Sequence, residues 1–329
     1  MSNKITEKYF TQKDFSLKLQ SALAVIIPKT KFNIQKEIWR GIIYDKDKIG
    51  SIIFAGTYKN KPAILKIQGL RPEIDEMTIF EKFQKNNKSR RIRLPKVYAG
   101  QKWNTKNKFG FLILERIPLK NIFLMPLADK KQKQMFCRFY NEYRTKTVAQ
   151  AWWKNDLCTK AAVIKRLNNW TKISKHNKCW SQNIQGKRVS RFEQILNKHF
   201  EQIPLIFSHG HLSANDIFIN KGKFVLMSNL FWGFRPKYYD LTFNIWACLL
   251  RLPNKTSSLQ AIELIEDWRE NYRRIPWVKK QNDFDAIFPI MLLERLTGSI
   301  LVDLCVGRKN AKRLLRLHLQ LFDYYSKDI

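Results

Sequence analysis

Residues 207–228 read Phe-Ser-His-Gly-His-Leu-Ser-Ala-Asn-Asp-Ile-Phe-Ile-Asn-Lys-Gly-Lys-Phe-Val-Leu-Met-Ser. Two histidines flank a glycine, a polar run follows, and two short apolar stretches then meet at Asn220-Lys221-Gly222. That triplet is a turn signal between β-prone segments, so the stretch predicts a polar loop feeding a pair of short strands that end at Ser228. Imidazole titrates near neutrality, and imidazole together with carboxylate can ligate Zn²⁺ or Mn²⁺. His209, His211 and Asp216 are therefore candidates for acid–base or metal chemistry, although no fourth ligand pattern accompanies them.

The two sides of this loop differ in character. Upstream, helical spacing over 15–27 ends at Pro28. Residues 51–58 and 62–68 are β-rich and flank Lys59-Asn60-Lys61, a hairpin signal. Residues 73–85 carry a helical pattern through Ile74, Met77, Phe80 and Phe83, and Leu94–Ala99 and Phe109–Ile117 are further strands. This order predicts a small antiparallel sheet crossed by one helix. A linker with two prolines, Pro118–Lys131, follows. Beyond it the pattern is helical over roughly 130–148, 157–173, 189–201, 239–251, 257–273, 284–306 and 308–326, interrupted only by the strand pair of the opening stretch.

The loop resembles the H-G-D-L-x-x-x-x-N-I signature of the aminoglycoside phosphotransferase and choline kinase family, a branch of the protein-kinase-like fold. His209, Gly210 and Leu212 match it. The resemblance spans roughly 40–300 and implies an α+β, two-lobed protein-kinase-like fold: an N-lobe of small antiparallel sheet plus helix, and a mainly helical C-lobe. On this reading 1–32 is an N-terminal helical extension, 33–117 the N-lobe, and 118–329 the C-lobe with a degenerate catalytic loop.

The resemblance also assigns roles, and here the chain departs from it. His211 stands where the catalytic Asp is expected, Asp216 where a metal-binding Asn is expected, and Ser228 where a second metal-binding Asp ends the strand. A carboxylate at 216 suits Mg²⁺, but a hydroxyl at 228 is a weak ligand. Register shifts would offer only the neutral Asn215 and Asn229. Lys66, in Ala63-Ile64-Leu65-Lys66-Ile67, resembles the lysine that contacts the α/β-phosphates of ATP, and Glu76 resembles its helical partner, with Glu73 and Glu81 as alternatives. Phe111–Ile117 resembles the hinge, where backbone groups near Glu115 and Ile117 would bind adenine. Tyr44–Gly50 falls where a phosphate-covering loop would sit, with one glycine and two carboxylates. The supporting residues match: His209 behind the loop, and Asp240, in Tyr238-Tyr239-Asp240-Leu241, steadying the loop and placed to cap the following helix.

The chain has 329 residues, 61 basic against 27 acidic, for a net charge of +34. Such charge draws a protein to polyanions, unless it is a solvated lysine coat of compositional origin. Residues 157–192 contain no Asp or Glu and interleave Lys160, Lys165, Arg166, Lys172, Lys175, Lys178, Lys187, Arg188 and Arg191 with Trp170 and Trp180. Aromatic and cationic side chains together suit single-stranded nucleic acid, and the charge suits an anionic surface. A second cluster is Arg308, Lys309, Lys312, Arg313 and Arg316. The charge argues against a polycationic aminoglycoside as substrate. Five scattered cysteines without C-x-x-C read as reduced thiols in a cytoplasmic protein. No apolar run reaches the ~18 residues of a membrane span, and Ile287–Val306 reads as a buried helix. Three functions follow: a catalytically impaired phosphotransferase-like protein (a pseudokinase) whose binding of ATP and Mg²⁺ is weak or absent and which acts through a small-molecule or protein ligand; a divergent active ATP-dependent small-molecule kinase with Asp216 as chief metal ligand and His211 as base; or a polyanion-binding module on a kinase-like scaffold.

Overall fold

The Lys59-Asn60 turn joins two paired strands of the larger sheet. Both residues have positive φ (49° and 60°), the backbone of a two-residue hairpin loop that matches strand twist. In the computed structural model the described residues are 10–11, 15–42, 48–69, 71–72, 74–118, 120–121, 129–154, 159–213, 216–305, 311–327 and 329. They cluster into two units: Met1–Lys85, Arg93–Leu119 and Val225–Leu230 form the first, and Asn86–Ile92, Lys120–Phe224 and Phe231–Ile329 the second.

In the first unit the elements are β1 (Phe10–Thr11), α1 (Phe15–Thr30), β2 (Asn33–Ile42), β3 (Lys48–Tyr58), β4 (Lys61–Gln68), α2 (Glu76–Asn86), β5 (Ile92–Arg93, at the boundary), β6 (Val97–Gln101) and β7 (Gly110–Glu115). The antiparallel sheet runs β1-β3-β4-β7-β6, with β2 also paired to β3. Ala22 and Ile26 of α1 pack on Ile52, Phe54, Leu65, Ile67 and Ile113 to make its core. Two expectations change. The first helix does not stop at Pro28 but runs to Thr30, whose hydroxyl donates to the Ile26 carbonyl at 2.7 Å, with Lys31 N–H donating to Ile27 O at 2.7 Å. Strand β2 was not foreseen: residues 35–40 are all exposed, so no buried alternating face marks it. Residues 44–47 of the expected phosphate-covering loop Tyr44–Gly50 lie outside the described residues.

In the second unit the elements are β8 (Lys120–Asn121), α3 (Lys130–Glu142), α4 (Thr159–His176), α5 (Lys187–His199), β9 (Leu205–Ser208), β10 (Ile217–Asn220), β11 (Lys223–Leu226, at the boundary), β12 (Gly233–Pro236), α6 (Tyr239–Leu249), α7 (Ser258–Arg273), α8 (Pro276–Lys279), α9 (Phe284–Gly298) and α10 (Ala311–Tyr325). The foreseen strand pair is β10 and β11. The pairing of β9 with β12, Ser208 opposite Gly233 and Leu205 opposite Pro236, was not foreseen because the strands are far apart in sequence. Every residue of α6 is buried, and α9 is buried over most of its length. Two predicted helices are composite: π-helical turns Tyr143–Thr147 and Ser299–Asp303 continue α3 and α9. Most of the expected linker, including 122–128, is outside the described residues.

Candidate functional site

Alternation along β4 buries Ala63, Leu65 and Ile67 against the α1 side and turns Lys66 to the other face. Asp75 fixes the start of α2 there. Its carboxylate accepts from Met77 N–H at 2.9 Å and from Trp103 N–H at 2.8 Å, and its carbonyl accepts from Ile79 N–H at 3.1 Å. Glu76 is thereby the first helical residue, where the helix dipole favours a carboxylate. Lys66 Nζ lies 2.6 Å from Glu76 Oε2, with the two side chains only 13% and 5% exposed. Of the three acids weighed as partner, Glu76 makes this pair; Glu81 instead faces Lys102 at 3.2 Å, and Glu73 is outside the described residues.

At the end of β7 the Glu115 side chain is committed elsewhere. Arg93 Nη1 donates to it at 2.8 Å and Lys96 N–H at 3.2 Å. Burial pushes this carboxyl up, but the Arg93 hydrogen bond and charge, with Lys96, hold it below the usual value. Glu115 N–H donates to Lys96 O at 2.8 Å and Arg116 N–H to Pro62 O at 3.3 Å, and Ile117 is buried.

In the second unit β9 delivers the His209–Asp216 loop, which is braced from below by Asp240. Gly210 N–H donates to Asp240 Oδ1 at 2.9 Å, while Tyr143 Oη and His209 N–H donate to Oδ2 at 3.0 and 3.3 Å. His209 N–H also reaches Tyr143 Oη at 2.6 Å. Asp240 is not the cap of α6, as the sequence suggested: the cap position is Tyr238, in left-handed backbone (φ 67°), and Asp240 lies in the first turn with its carboxylate spent on the loop. Gly210 is required where it stands. Its φ is +73°, and an added Cβ would sit 2.5 Å from Phe231 O. The buried His209 ring stands edge-on to Trp232, with centroids 4.8 Å apart. Sequence reasoning missed Tyr143, which the π turn after α3 positions and no local pattern marks.

His211 and Asp216 are in contact. His211 Nδ1 is 3.1 Å from Asp216 Oδ2, and the same oxygen accepts from Ser213 N–H at 3.0 Å and from the Ser213 hydroxyl. Asp216 is buried; burial pushes its carboxyl up, but the His211 hydrogen bond and charge, the His209 charge and Ser213 together bring it below the usual value. The His211 ring lies against Phe231 (4.4 Å, nearly parallel) and Phe243 (4.6 Å, tilted). Among the described residues no three His, Cys, Asp or Glu side chains gather to hold a metal, so His209, His211 and Asp216 do not form the Zn²⁺ or Mn²⁺ site the sequence allowed. His209 packs on Trp232 while the other two pair with each other. Ser228, in left-handed backbone (φ 58°), offers a neutral hydroxyl. Asn229 is buried and donates to Leu226 O at 3.2 Å; Asn215 is outside the described residues.

The basic stretch 157–192 finds acids and carbonyls on other elements. Lys160 pairs with Glu201 at 3.6 Å, Arg166 with Glu294 at 2.6 Å, and Arg188 with Asp323, while Arg191 donates to Ser326 O at 2.9 Å. Lys175 sits 5.1 Å from the Trp180 ring, and Lys165, Lys172, Lys178 and Lys187 are exposed. In the second cluster Arg313 is turned inward to Leu252 O at 3.0 Å; Arg308 and Lys309 are outside the described residues. Among the described residues no helix is long and apolar enough to cross a membrane, and Cys137, Cys179, Cys248 and Cys305 are free thiols.

No protein-family profile and no curated protein matches the sequence. Solved structures do match the fold. A thermostable mutant of aminoglycoside phosphotransferase APH(4)-Ia, in ternary complex with ADP and hygromycin B, aligns at TM-score 0.61 and 12% identity over 93% of this chain and 98% of its own. Amicoumacin kinase hAmiN, in complex with AMP-PNP, Ca²⁺ and Ami, aligns at 0.57 and 12% over 95% and 96%. Spectinomycin phosphotransferase APH(9)-Ia, in complex with ADP and spectinomycin, aligns at 0.54 and 16% over 93% of each chain. The chain thus has the protein-kinase-like fold of the aminoglycoside phosphotransferases, with an antiparallel-sheet N-lobe and a mainly helical C-lobe.

Proposed function

We propose that the protein is a catalytically impaired phosphotransferase-like protein, a pseudokinase, that keeps a nucleotide grip and acts by binding a ligand. The observation that carries this reading is the engagement of Asp216. Phosphoryl transfer relies on metal ions that neutralise phosphate charge and on a carboxylate that orients the attacking hydroxyl. The residue at the base position, His211, instead donates to or shares a proton with the one carboxylate available at the metal positions, and Ser213 donates twice to the same oxygen. Ser228 adds no charge. Hard Mg²⁺ is held by carboxylates and phosphate oxygens, so this donor set does not fit the metal.

The Lys66–Glu76 pair at 2.6 Å supports retention of the grip. ATP, when bound, would bring its phosphates to Lys66, with Glu76 holding the ammonium in place, and its adenine to backbone near Glu115 and Ile117. Thermal shift with ATP, with K66A as control, reads this binding.

The test of impairment is metal-dependent ATP consumption by the unmodified protein against a panel of neutral and anionic hydroxyl compounds. Consumption stays at the no-protein background. The triple variant H211D/D216N/S228D raises it by orders of magnitude, since a general base alone contributes ~10²–10⁴-fold. Robust Mg²⁺-dependent turnover by the unmodified chain refutes the reading and makes the protein a divergent active kinase.

A further inference from the structure

We propose that the face of the second unit beside His211 binds a small aromatic anion, with Phe231 as the stacking surface and the Arg235 and Arg166 guanidinium groups as the charge. The proposal rests on the pseudokinase reading in one respect: it names the ligand class that such a scaffold would hold at its altered loop.

Phe231 is 42% exposed although it is a large apolar side chain, and its ring lies nearly parallel to His211 at 4.4 Å. A solvent-facing aromatic already stacked on one side offers its edge and free surface to a second ring. Arg235 is anchored directly beneath. Its Nη2 donates to Phe231 O at 3.1 Å and its Nη1 to Phe234 O at 3.0 Å, and a Cβ built on Gly210 would meet its Nε at 2.9 Å. The guanidinium therefore sits against the backbone of the residue before His211.

Among the described residues no carboxylate pairs with Arg235; its hydrogen bonds go to carbonyls. Arg166 shares its neighbourhood: the two guanidiniums lie 5.9 and 5.7 Å from the Tyr239 ring. Arg295, at 5.6 Å, is a third cation over that ring; Arg166 pairs with Glu294 and Arg295 has Asp303 at 4.0 Å, whereas among the described residues no carboxylate lies within ion-pair distance of Arg235. The Glu294 carboxylate is fully buried, whereas the Arg166 side chain is 23% exposed and Arg235 is half-buried. The acid is spent inside, while both guanidinium side chains keep part of their surface exposed. Burial, with the Arg166 charge adding to it, depresses the Arg235 pKa, while Tyr239, Asp240 and Glu294 act in the opposite sense. A planar guanidinium recognises phosphate or carboxylate through paired donors, and a site built from cations rejects cationic ligands by repulsion.

The experiment is calorimetric titration of the full chain, without nucleotide, with phenyl phosphate, inorganic phosphate, phenol and benzylamine. Phenyl phosphate binds most tightly and more weakly as salt rises, and benzylamine does not bind. R235Q lowers phenyl phosphate affinity at least about tenfold. R235K, which keeps the charge, loses less than R235Q. F231A, at an exposed position, folds and abolishes the preference for phenyl phosphate over inorganic phosphate. K66A, which disables the nucleotide grip, leaves phenyl phosphate affinity unchanged. The site is overturned if the unmodified chain shows no binding up to about 10 mM, if R235Q and F231A both titrate like it, if benzylamine binds as well, or if K66A removes the binding. ATP turnover in the same preparations reports separately: turnover with Arg235-dependent phenyl phosphate binding overturns the pseudokinase reading and leaves this site standing.

Discussion

Replacing Asp240 with Ala should cost the second unit several kcal/mol, and the amount follows from which donors are stranded. The carboxylate accepts from Gly210 N–H, His209 N–H and the Tyr143 hydroxyl, all buried. His209 N–H keeps its 2.6 Å bond to Tyr143 Oη in the variant. Two donors, Gly210 N–H and Tyr143 O–H, are left without their acceptor. At about 1–3 kcal/mol for each stranded buried group, the expected loss is roughly 2–6 kcal/mol, reduced somewhat because a buried charge is also removed. Y143F alone should cost less, because His209 N–H still has Asp240 Oδ2 at 3.3 Å. The double variant D240A/Y143F strands the two backbone N–H groups but no hydroxyl, so it should be little worse than D240A. The predicted coupling is about 1–2 kcal/mol, a normal size for residues in one network. Urea unfolding of the four proteins measures it through the shift in midpoint at constant slope. A D240A loss below about 1 kcal/mol, or additivity of the two single changes, would falsify the assignment of Asp240 as the brace of the loop.

Two further outcomes are expected. G210A places a Cβ 2.5 Å from Phe231 O in a backbone with φ +73°, so it should lose more than about 2 kcal/mol in urea unfolding, from left-handed strain of about 1–2 kcal/mol plus the clash; a loss within experimental error would contradict this backbone. The Asp216 carboxyl is held below its ordinary value of 3.8 in the folded protein, so it contributes stability that is fully present above the unfolded-state value and is lost as pH falls through the folded one. The stability difference between the unmodified protein and D216N should therefore narrow on acidification below about pH 4, and a gap that widens toward low pH would show the sign to be wrong.

The parts legible in the sequence were those where short-range chemistry decides the structure. Lys59-Asn60 announced a hairpin because both positions take positive φ. Lys66, on an apolar strand and followed ten residues on by the helical Glu76, was readable as half of a pair, and the structure joins the two at 2.6 Å. Illegible parts depend on distant partners or on weak patterns. Strand β2 shows solvent an unbroken run, 35–40, and so lacks the buried face that makes a strand readable. Tyr143 enters the site through a π turn, Thr147 closing it, and Arg235 through a strand whose mate is the distant β9. Asp75 as the cap of α2 was hidden because its second oxygen is claimed by Trp103, 28 residues away.

The same division explains how a kinase-like loop keeps its shape while its reactive groups change. The conformation of His209–Gly210 is set by backbone N–H groups donating to Asp240 and by the space Gly210 leaves for Phe231 O. None of these interactions uses the side chain at 211. An imidazole can therefore occupy that position without disturbing the frame, and once there it finds the nearest carboxylate, Asp216, and two aromatic rings. Asp216 Oδ2, hydrogen-bonded to His211 and Ser213, is already stabilised as an anion inside the protein. The frame of the loop is thus fixed by contacts that do not involve the side chain at 211. The proposed ligand would use what this frame leaves outside it: Phe231, 42% exposed, and the Arg235 guanidinium, which pairs with no carboxylate among the described residues.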